Sequence, residues 1–178
     1  TVKTKAVYSG PLKTLGDVLE ANNPPENPTD LTGFYIDEDK RINLPPKIQI
    51  DGTEKRLDTV WDKWKYLKGS KSELKINKTQ GYSYKYGEGS MIFPDPTDKP
   101  SRTIITGEGG SGASRFKHVV KEGSKHRRLT PIELERLNMF PDNHTAHLGA
   151  TNAKRAFFMG NALVVGVVEK IGIKLFSK

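Results

Sequence analysis

The sequence predicts an α+β fold, with a small, irregular, β-rich domain and short helices. Only 34% of the 178 residues are hydrophobic, and the mean hydropathy is -0.62. Eleven prolines and seventeen glycines imply much irregular backbone. Short strand-like segments alternate with segments of helical spacing. The chain is long enough for one domain with a core, or for a smaller domain and a segment that packs elsewhere.

Charge and cysteine content limit the classes of function. Lys and Arg number 29 and Asp and Glu 21, so the formal net charge is +8 and the pI is near 9.5. This balance suits a polyanionic partner, although an ordinary basic protein would show it too. The chain has no cysteine, which excludes disulfides, Cys-based zinc sites and a thiol nucleophile within it. It shows no export signal and no run of about eighteen apolar residues, so we expect a cytoplasmic protein without membrane contact.

The first part of the chain predicts short elements separated by breakers. Residues 1–10 predict a strand or an extended lead-in, and Thr14 is placed as the N-cap of a helix over TLGDVLEA. Residues 22–28 break this first unit. The segments FYIDEDKRINL and KIQI then predict strands of a small irregular sheet.

Two aromatic segments follow. RLDTVWDKWKYLKG has helical spacing, and its apolar stripe around Trp61 and Trp64 is more typical of a core-facing helix than of an exposed base-stacking surface. In GYSYKYGEG, Tyr82, Tyr84 and Tyr86 alternate at strand spacing. For these tyrosines we favour packing of a hairpin over base stacking, and for some of the preceding lysines we favour phosphate contact.

A glycine-rich loop comes after a β-branched run. SRTIIT predicts a strand, and GEGGSG, residues 107–112, has the spacing G-x-G-x-x-G. A nucleotide-binding enzyme is therefore one alternative, although no repeated βαβ pattern surrounds the loop and the Lys-Ser/Thr ending of a Walker loop is missing. The other interpretation is a loop whose glycines adopt positive φ and approach phosphates and base edges closely, with Arg115 and Lys117 supplying charge.

The segment RRLTPIELERLNMFP carries several agreeing helix signals. Thr130 is a good N-cap, Pro131 suits the first helical position, and Glu133 completes a capping box. Leu129 and Leu134 occupy the two positions of a hydrophobic staple. The spacing also allows an ion pair between Glu133 and Arg136, and a proline at position 141 ends the helix.

The end of the chain predicts one more helix. Val164, Val168, Ile171 and Leu175 form a helical stripe, so we expect a helix over residues 162–173. The preceding loop holds Asp142, His144 and His147, but their spacing is weak for a metal site and a third ligand is not evident. An ordinary exposed loop is the better interpretation.

Two patterns resemble sequence motifs of the cytosine-5 DNA methyltransferases. That family's ninth motif, Arg-x-Leu-Thr-x-x-Glu-x-x-Arg-Leu-x-Gly-Phe-Pro, is matched in order at eight positions, and Met139 stands where the family usually has Gly. Its tenth motif, a Gly-Asn followed by Ser or Ala and an apolar helix, is matched at residues 160–162. A Thr-Ile pair before a glycine-containing loop is matched at residues 103–104. The eight positions are Arg127, Leu129, Thr130, Glu133, Arg136, Leu137, Phe140 and Pro141.

The resemblance implies a division of the chain. Residues 1–23 would border a catalytic domain, and residues 24–126 would form a target recognition domain. Residues 127–145 would carry the ninth-motif helix. Residues 146–178 would form a tenth-motif helix that packs on a Rossmann-like catalytic domain, which this chain does not contain.

The resemblance also implies roles for particular residues. Asn161 and Ala162 would border the pocket of S-adenosylmethionine, the cofactor of the family. No residue of the chain is expected to be catalytic or to bind a metal. A structural role at the interface of recognition loops and catalytic core falls to Arg127, Thr130, Glu133 and Arg136. Contacts to DNA are expected from Thr103, Ile104, Gly107, Gly109, Gly110, Arg115 and Lys117.

The family's cofactor loop, its Pro-Cys-Gln nucleophile and its other catalytic motifs do not occur in these 178 residues. Cytosine C5 becomes nucleophilic only after a thiolate adds at C6, so we expect this chain alone to be inactive. The resemblance implies the DNA-recognition part of a bacterial restriction-modification methyltransferase. It would bind duplex DNA with a flipped cytosine while a catalytic subunit or domain transfers the methyl group. The chain would be a subunit of a split enzyme, a shortened piece or a fragment; the alternative is a stand-alone DNA-binding module.

Overall fold

The computed structural model describes residues 10–42, 47–50, 53–147 and 149–176. Two short 3₁₀ turns lie at Gly16–Val18 and Leu31–Gly33. The strands are β1 (Lys47–Ile50), β2 (Thr53–Arg56), β3 (Lys71–Ile76), β4 (Ser83–Glu88), β5 (Val119–Glu122) and β6 (Lys125–Arg128). The helices are α1 (Val60–Lys68), α2 (Pro131–Leu137), α3 (Asn152–Asn161) and α4 (Val165–Phe176). The described residues are therefore mixed helix and strand, as the α+β prediction requires.

The strands form three separate antiparallel ribbons. β1 pairs with β2, β3 with β4 and β5 with β6, so the single small sheet that we expected is wrong for the described residues. The KIQI strand is confirmed as β1, whereas the described part of FYIDEDKRINL forms no strand. It makes only two isolated bridges, Tyr35 to Arg127 and Arg41 to Thr59. The predicted lead-in over residues 1–9 and the end of that segment at residues 43–44 lie outside the described residues.

The core lies where the β5–β6 ribbon meets α2 and α3. Val119 and Val120 of β5 are fully buried, and Gly123 makes the tight turn into β6 with a φ of 58°. Glycine suits this turn because a two-residue hairpin loop needs positive φ. The buried apolar cluster consists of Leu15, Val18, Leu19, Ile104, Val120, Leu129, Leu134, Ala156 and Met159.

Two predicted helices are confirmed, and the second has the cap that the sequence predicted. α1 begins after Thr59, whose side chain forms a capping box with Asp62, and Trp64 of this helix is buried as the core-facing interpretation requires. α2 begins after Thr130, with a capping box to Glu133 and proline at its first position. The staple residues on either side of the Thr130 cap belong to the same buried cluster. Both helices start where they do because side chains satisfy their first backbone N–H groups.

Two other expectations are wrong, and a third is confirmed with other bounds. The helix over TLGDVLEA is only a three-residue 3₁₀ turn, because the backbone becomes extended at Leu19, with a ψ of 136°. SRTIIT forms no strand, since no strand of the described residues pairs with it. The C-terminal helix is confirmed, but it begins at Val165 instead of 162 and ends at Phe176, and a preceding helix, α3, was not predicted.

The last two helices differ in how much of them is buried. Arg155, Ala156 and Met159 of α3 face the core, whereas α4 lies mostly exposed. We expected no run long and apolar enough to span a membrane, yet residues 152–176 meet that test by length and composition. The backbone of residues 162–164 is not helical, however, and only the α3 half packs against the core.

Candidate nucleic-acid interface

The ninth-motif residues form a buried ion-pair network. Arg127 donates two parallel hydrogen bonds of 2.8 Å to the Glu133 carboxylate, and both side chains are fully buried. Arg127 Nε also donates to Glu122, at 3.0 Å. Although burial alone would lower the pKa of Arg127, these two carboxylates raise it above its ordinary value. The arginine therefore stays charged and locks β6 to the start of α2.

The same network reaches back to the beginning of the chain. The backbone N–H of Glu20 donates to Glu133 at 3.0 Å, and the hydroxyl of Thr130 donates to the Glu20 carboxylate. Arg136 Nη1 donates to the carbonyls of Val18 at 3.1 Å and Asn23 at 2.7 Å. We call these four bonds the closure, because they join residues 18–23 to α2 across more than a hundred residues of sequence.

The ion pair expected between Glu133 and Arg136 does not form. Arg136 instead makes a bidentate pair with Asp142, at 2.7 and 2.6 Å, and this pair raises the pKa of Arg136. Helical spacing of three suggested the pair, but Glu133 is directed at Arg127 and lies too deep for a surface pair.

Met139 has a left-handed backbone at the position where the resembled ninth motif usually has Gly. Its φ is 62°, in the left-handed region where an L side chain costs about 1–2 kcal/mol. The Met139 side chain lies over Gly166 of α4, where a Cβ atom would come within 2.6 Å of its sulfur. Met139 therefore has a conformation that glycine favours, and its side chain is accommodated by a glycine opposite it.

The glycine-rich loop, residues 107–112, is held by buried charged side chains. The Glu108 carboxylate accepts from the backbone N–H of His118 at 3.0 Å and lies 2.8 Å from its Nδ1. Lys117 Nζ donates to the carbonyls of Gly110 and Gly112 at 2.5 and 2.7 Å, and burial lowers its pKa. Lys117 is thus a buried side chain that fixes this loop, and it is not exposed for contact with a phosphate.

Close packing requires glycine at one position of the loop, Gly109, and positive φ requires it at none. None of them lies in the left-handed region, contrary to our expectation. A Cβ atom on Gly109 would come within 2.5 Å of Ala153 Cα in α3, and one on Gly110 would lie 3.1 Å from Lys117 Nζ. Gly107 meets only an ordinary contact at 3.5 Å. The loop is followed by bends and not by a helix, so the structure does not support the dinucleotide interpretation.

The remaining predicted DNA contacts separate into exposed and internal residues. Thr103 is exposed, whereas Ile104 is a core residue with 9% exposure and cannot reach a duplex. Arg115 donates to the carbonyls of Leu67 at 3.0 Å and Gly69 at 3.1 Å, and its side chain is 13% exposed. Its charge is thus used to connect α1 to the loop after it.

The tenth-motif residues lie at the end of α3. Gly160 packs directly on residues 105–106, where a Cβ atom would come within 2.4 Å of Thr106 Cα. The Asn161 side chain donates to the Phe157 carbonyl at 2.9 Å, and Ala162 packs against the core. Gly160 therefore explains why α3 can approach this segment so closely.

An open cavity of about 600 Å³ lies beside this helix end. It is lined by Ala162 but not by Asn161, and its lining contains no Asp or Glu. Its walls are mostly apolar, with a few polar side chains that include Arg102, Arg136 and Asn138.

Several buried charged residues were not predicted. Lys68 is 1% exposed and donates to the Lys117 carbonyl, and burial lowers its pKa to about 8. Although burial alone would raise it, the pKa of Asp95 is held below its ordinary value by Arg102, which donates two bonds of 2.6 and 3.0 Å. Asp95 lies in a proline-rich, turn-rich segment that gives no local signal of burial. Lys68 follows Trp64 by four residues on the same helical face, and this spacing was the one signal that could have marked it.

Tyr82, just before β4, and Tyr84, within it, are exposed, contrary to the packing that we expected for them. Tyr82 is 52% and Tyr84 is 41% exposed, and only Tyr86 is half-buried.

In the described ranges no group of three metal-binding side chains occurs. The ring of His144 packs on the ring of Phe140, with 4.7 Å between the ring centroids.

Comparisons with known proteins agree with the family that the sequence resembles. A profile of the family described as C-5 cytosine-specific DNA methylase matches residues 3–177. The type II methyltransferase M.Sau3AI of Staphylococcus aureus is 43% identical over 122 residues, which make up 68% of this chain and 28% of that protein. The chain thus spans less than a third of that relative's length. No solved structure matches it. Because the family profile covers nearly all of the sequence, the chain belongs to the C-5 cytosine-specific DNA methylases.

Proposed function

We propose that this chain is the DNA-recognition part of a cytosine-5 DNA methyltransferase of a bacterial, cytoplasmic restriction-modification system. The observation that carries the proposal is the family match over residues 3–177, together with a relative named as a type II methyltransferase. The chain would bind a specific duplex site from which the target cytosine is flipped. A catalytic half, on the same polypeptide or a separate subunit, would supply the thiolate and the S-adenosylmethionine site.

The proposal divides the chain as the motifs suggest. Residues 24–126 would be the recognition domain, and the closure and the ninth-motif helix at 127–145 would hold it at its base. Residues 1–23 and 146–178 would border the catalytic domain. Among the residues expected to contact DNA, Thr103 and Gly107 keep that role in the proposal, because Thr103 is exposed and Gly107 meets only an ordinary contact.

The exposed apolar side chains of helix α4 support the proposal that a partner domain packs on this helix. A helix with this much apolar exposure is rare on a protein that works alone, because contiguous apolar patches are normally covered. We propose that the catalytic domain packs on this apolar surface of α4. The exposed side chains are Val165, Val167, Val168, Ile171, Ile173, Leu175 and Phe176, each at least 39% accessible.

The test is methyl transfer from radiolabelled S-adenosylmethionine to duplex DNA. It is measured with the chain alone, with an extract of its own source that lacks the chain, and with both together. We expect transfer only in the mixture, and Ile171→Asp should abolish that transfer while duplex binding by the chain is unchanged. Transfer by the chain alone would refute the need for a catalytic half. Duplex binding with no transfer in any mixture would favour the stand-alone DNA-binding module.

A further inference from the structure

The β3–β4 hairpin carries an exposed surface that no other described element covers. Its outer part, residues 74–85, we call the hairpin tip. Leu74 is 76%, Ile76 65%, Tyr82 52% and Tyr84 41% exposed. Four large side chains exposed on one short hairpin are unusual, since apolar and aromatic residues in ribbons normally pack on a core.

The strand register sorts these side chains onto two faces. Tyr84 lies opposite Lys75 on one face, and the rings of Tyr82 and Tyr84 lie 6.1 Å apart on that face. On the other face Leu74 lies opposite Lys85. Because paired residues of antiparallel strands point to the same side, one face carries the tyrosines with Lys75, and the other carries Leu74 and Ile76 with Lys85.

The charge of the tip favours a nucleic acid over a protein partner. Residues 74–85 contain Lys75, Lys78 and Lys85 but no Asp or Glu. Lysine is depleted from protein interfaces, whereas it neutralises phosphates in nucleic-acid interfaces. Lys78 and Lys85 are both exposed at this tip.

The tip is held in one conformation. The Asn77 side chain accepts from the backbone N–H groups of Thr79 and Gln80 at 2.9 and 3.1 Å, and Gly81 takes a φ of 71°. The turn is therefore ordered without a partner, which reduces the entropy cost of binding.

The base of the hairpin is clamped to the body of the protein. Arg115 donates to carbonyls on both sides of the hairpin, at Gly69 and Gly89, and pairs with Glu88 at 3.1 Å. Lys71 pairs with the same carboxylate at 3.1 Å. Arg115 thus positions the hairpin, which gives a physical role to a residue that sequence alone suggested as a phosphate contact.

We propose that the hairpin tip enters the major groove of the target duplex, with the tyrosine face on the base edges and Lys78 of the turn on the phosphates. The major groove is about 12 Å wide and admits a two-stranded ribbon. This inference rests on the proposed function and names the element that reads the site. The glycine-rich loop, which is held by internal bonds, would support the reading element instead of performing the reading.

The test uses the 178-residue chain and a fluorescein-labelled duplex pool with a randomised centre, followed by anisotropy on the selected duplex. We expect the double variant Tyr82→Ala/Tyr84→Ala to bind the selected duplex about tenfold more weakly and to lose its sequence preference. Lys78→Gln should weaken binding to every duplex and lower the salt slope by about 1. The matched control is Lys174→Gln, an exposed lysine of α4, which should change neither.

The outcomes separate the two proposals. If the wild-type chain binds no duplex, the proposed function and the hairpin inference both fail. If it binds and the hairpin variants bind equally well with unchanged melting temperature, only the hairpin inference is overturned. It is also overturned if those variants keep duplex binding but lose methyl transfer in the mixture with the catalytic half, since the tip would then contact protein.

Discussion

Replacing Gly160 by alanine tests whether the close approach of α3 to residues 105–106 is required. The added methyl group would come within 2.4 Å of both the nitrogen and the Cα of Thr106, and within 2.5 Å of the carbonyl carbon of Ile105. These are backbone atoms, so no side chain can rotate away to relieve the contact. Either α3 or the segment bearing Ile104 must move, and both belong to the core.

Two opposing terms decide the size of the effect. Alanine is favoured over glycine in a helix by about 0.5–1 kcal/mol. Overpacking in a well-packed interior costs about 1–3 kcal/mol, and this contact lies at the severe end of that range. We therefore expect Gly160→Ala to lower the free energy of unfolding by about 2 kcal/mol, or the melting temperature by about 4–8 °C.

The assay is urea unfolding followed by the fluorescence of Trp64, which is buried in the wild type. The matched control is Gly172→Ala in α4, where a Cβ atom meets nothing within 4 Å. That variant should gain about 0.5–1 kcal/mol from helix propensity alone. Equal stability changes of the same sign in both variants would refute the packing argument.

Two further predictions concern buried charges. Arg127→Leu leaves the Glu133 carboxylate buried without its cation and should cost about 3–5 kcal/mol in urea unfolding, whereas Arg56→Leu, which removes an exposed pair, should change stability by less than about 1 kcal/mol. Similar losses in both would contradict the burial argument. Because burial lowers the pKa of Lys68 to about 8 in the folded state, the unfolded state binds more protons between about pH 8 and 10.5, and stability should rise through that window. Lys68→Met should therefore gain about 1–2 kcal/mol at neutral pH and lose that gain by about pH 10.5, as unfolding curves at both pH values would show; a gain that does not vary with pH would exclude the charge as its cause.

Local signals predicted α1 and α2 because their determinants lie within a few residues of each other. The capping box of Thr130 and Glu133 can be identified from the sequence and is confirmed. The same kind of signal was present for α3, where the side chain of Thr151 accepts from the backbone N–H of Lys154. The helix was not predicted because the apolar periodicity after this cap is weak. The strand predicted over SRTIIT does not form because a strand also needs a partner strand, which the β-branched residues of the segment cannot supply.

The site was less predictable because its contacts join residues that are distant in sequence. The partner of Glu133 is Arg127 and not the helical neighbour Arg136, and burial decides this. The Gly109 and Gly160 positions were noticed for loop freedom or motif identity, but their reason is the backbone opposite them. Such close approaches exist only in three dimensions, so spacing along the chain does not reveal them.

The closure has a consequence for how the chain can change in evolution. Its four bonds hold residues 18–23 against α2, so the intervening segment leaves and returns at nearly the same point. The entropy cost of closing a loop grows only slowly with its length, by about 0.6 kcal/mol for each doubling. The middle of the chain could therefore lengthen, shorten or be exchanged for another sequence while the two ends keep their geometry. Under the proposed function, a change of DNA specificity would then leave undisturbed the surface that we assign to the catalytic half.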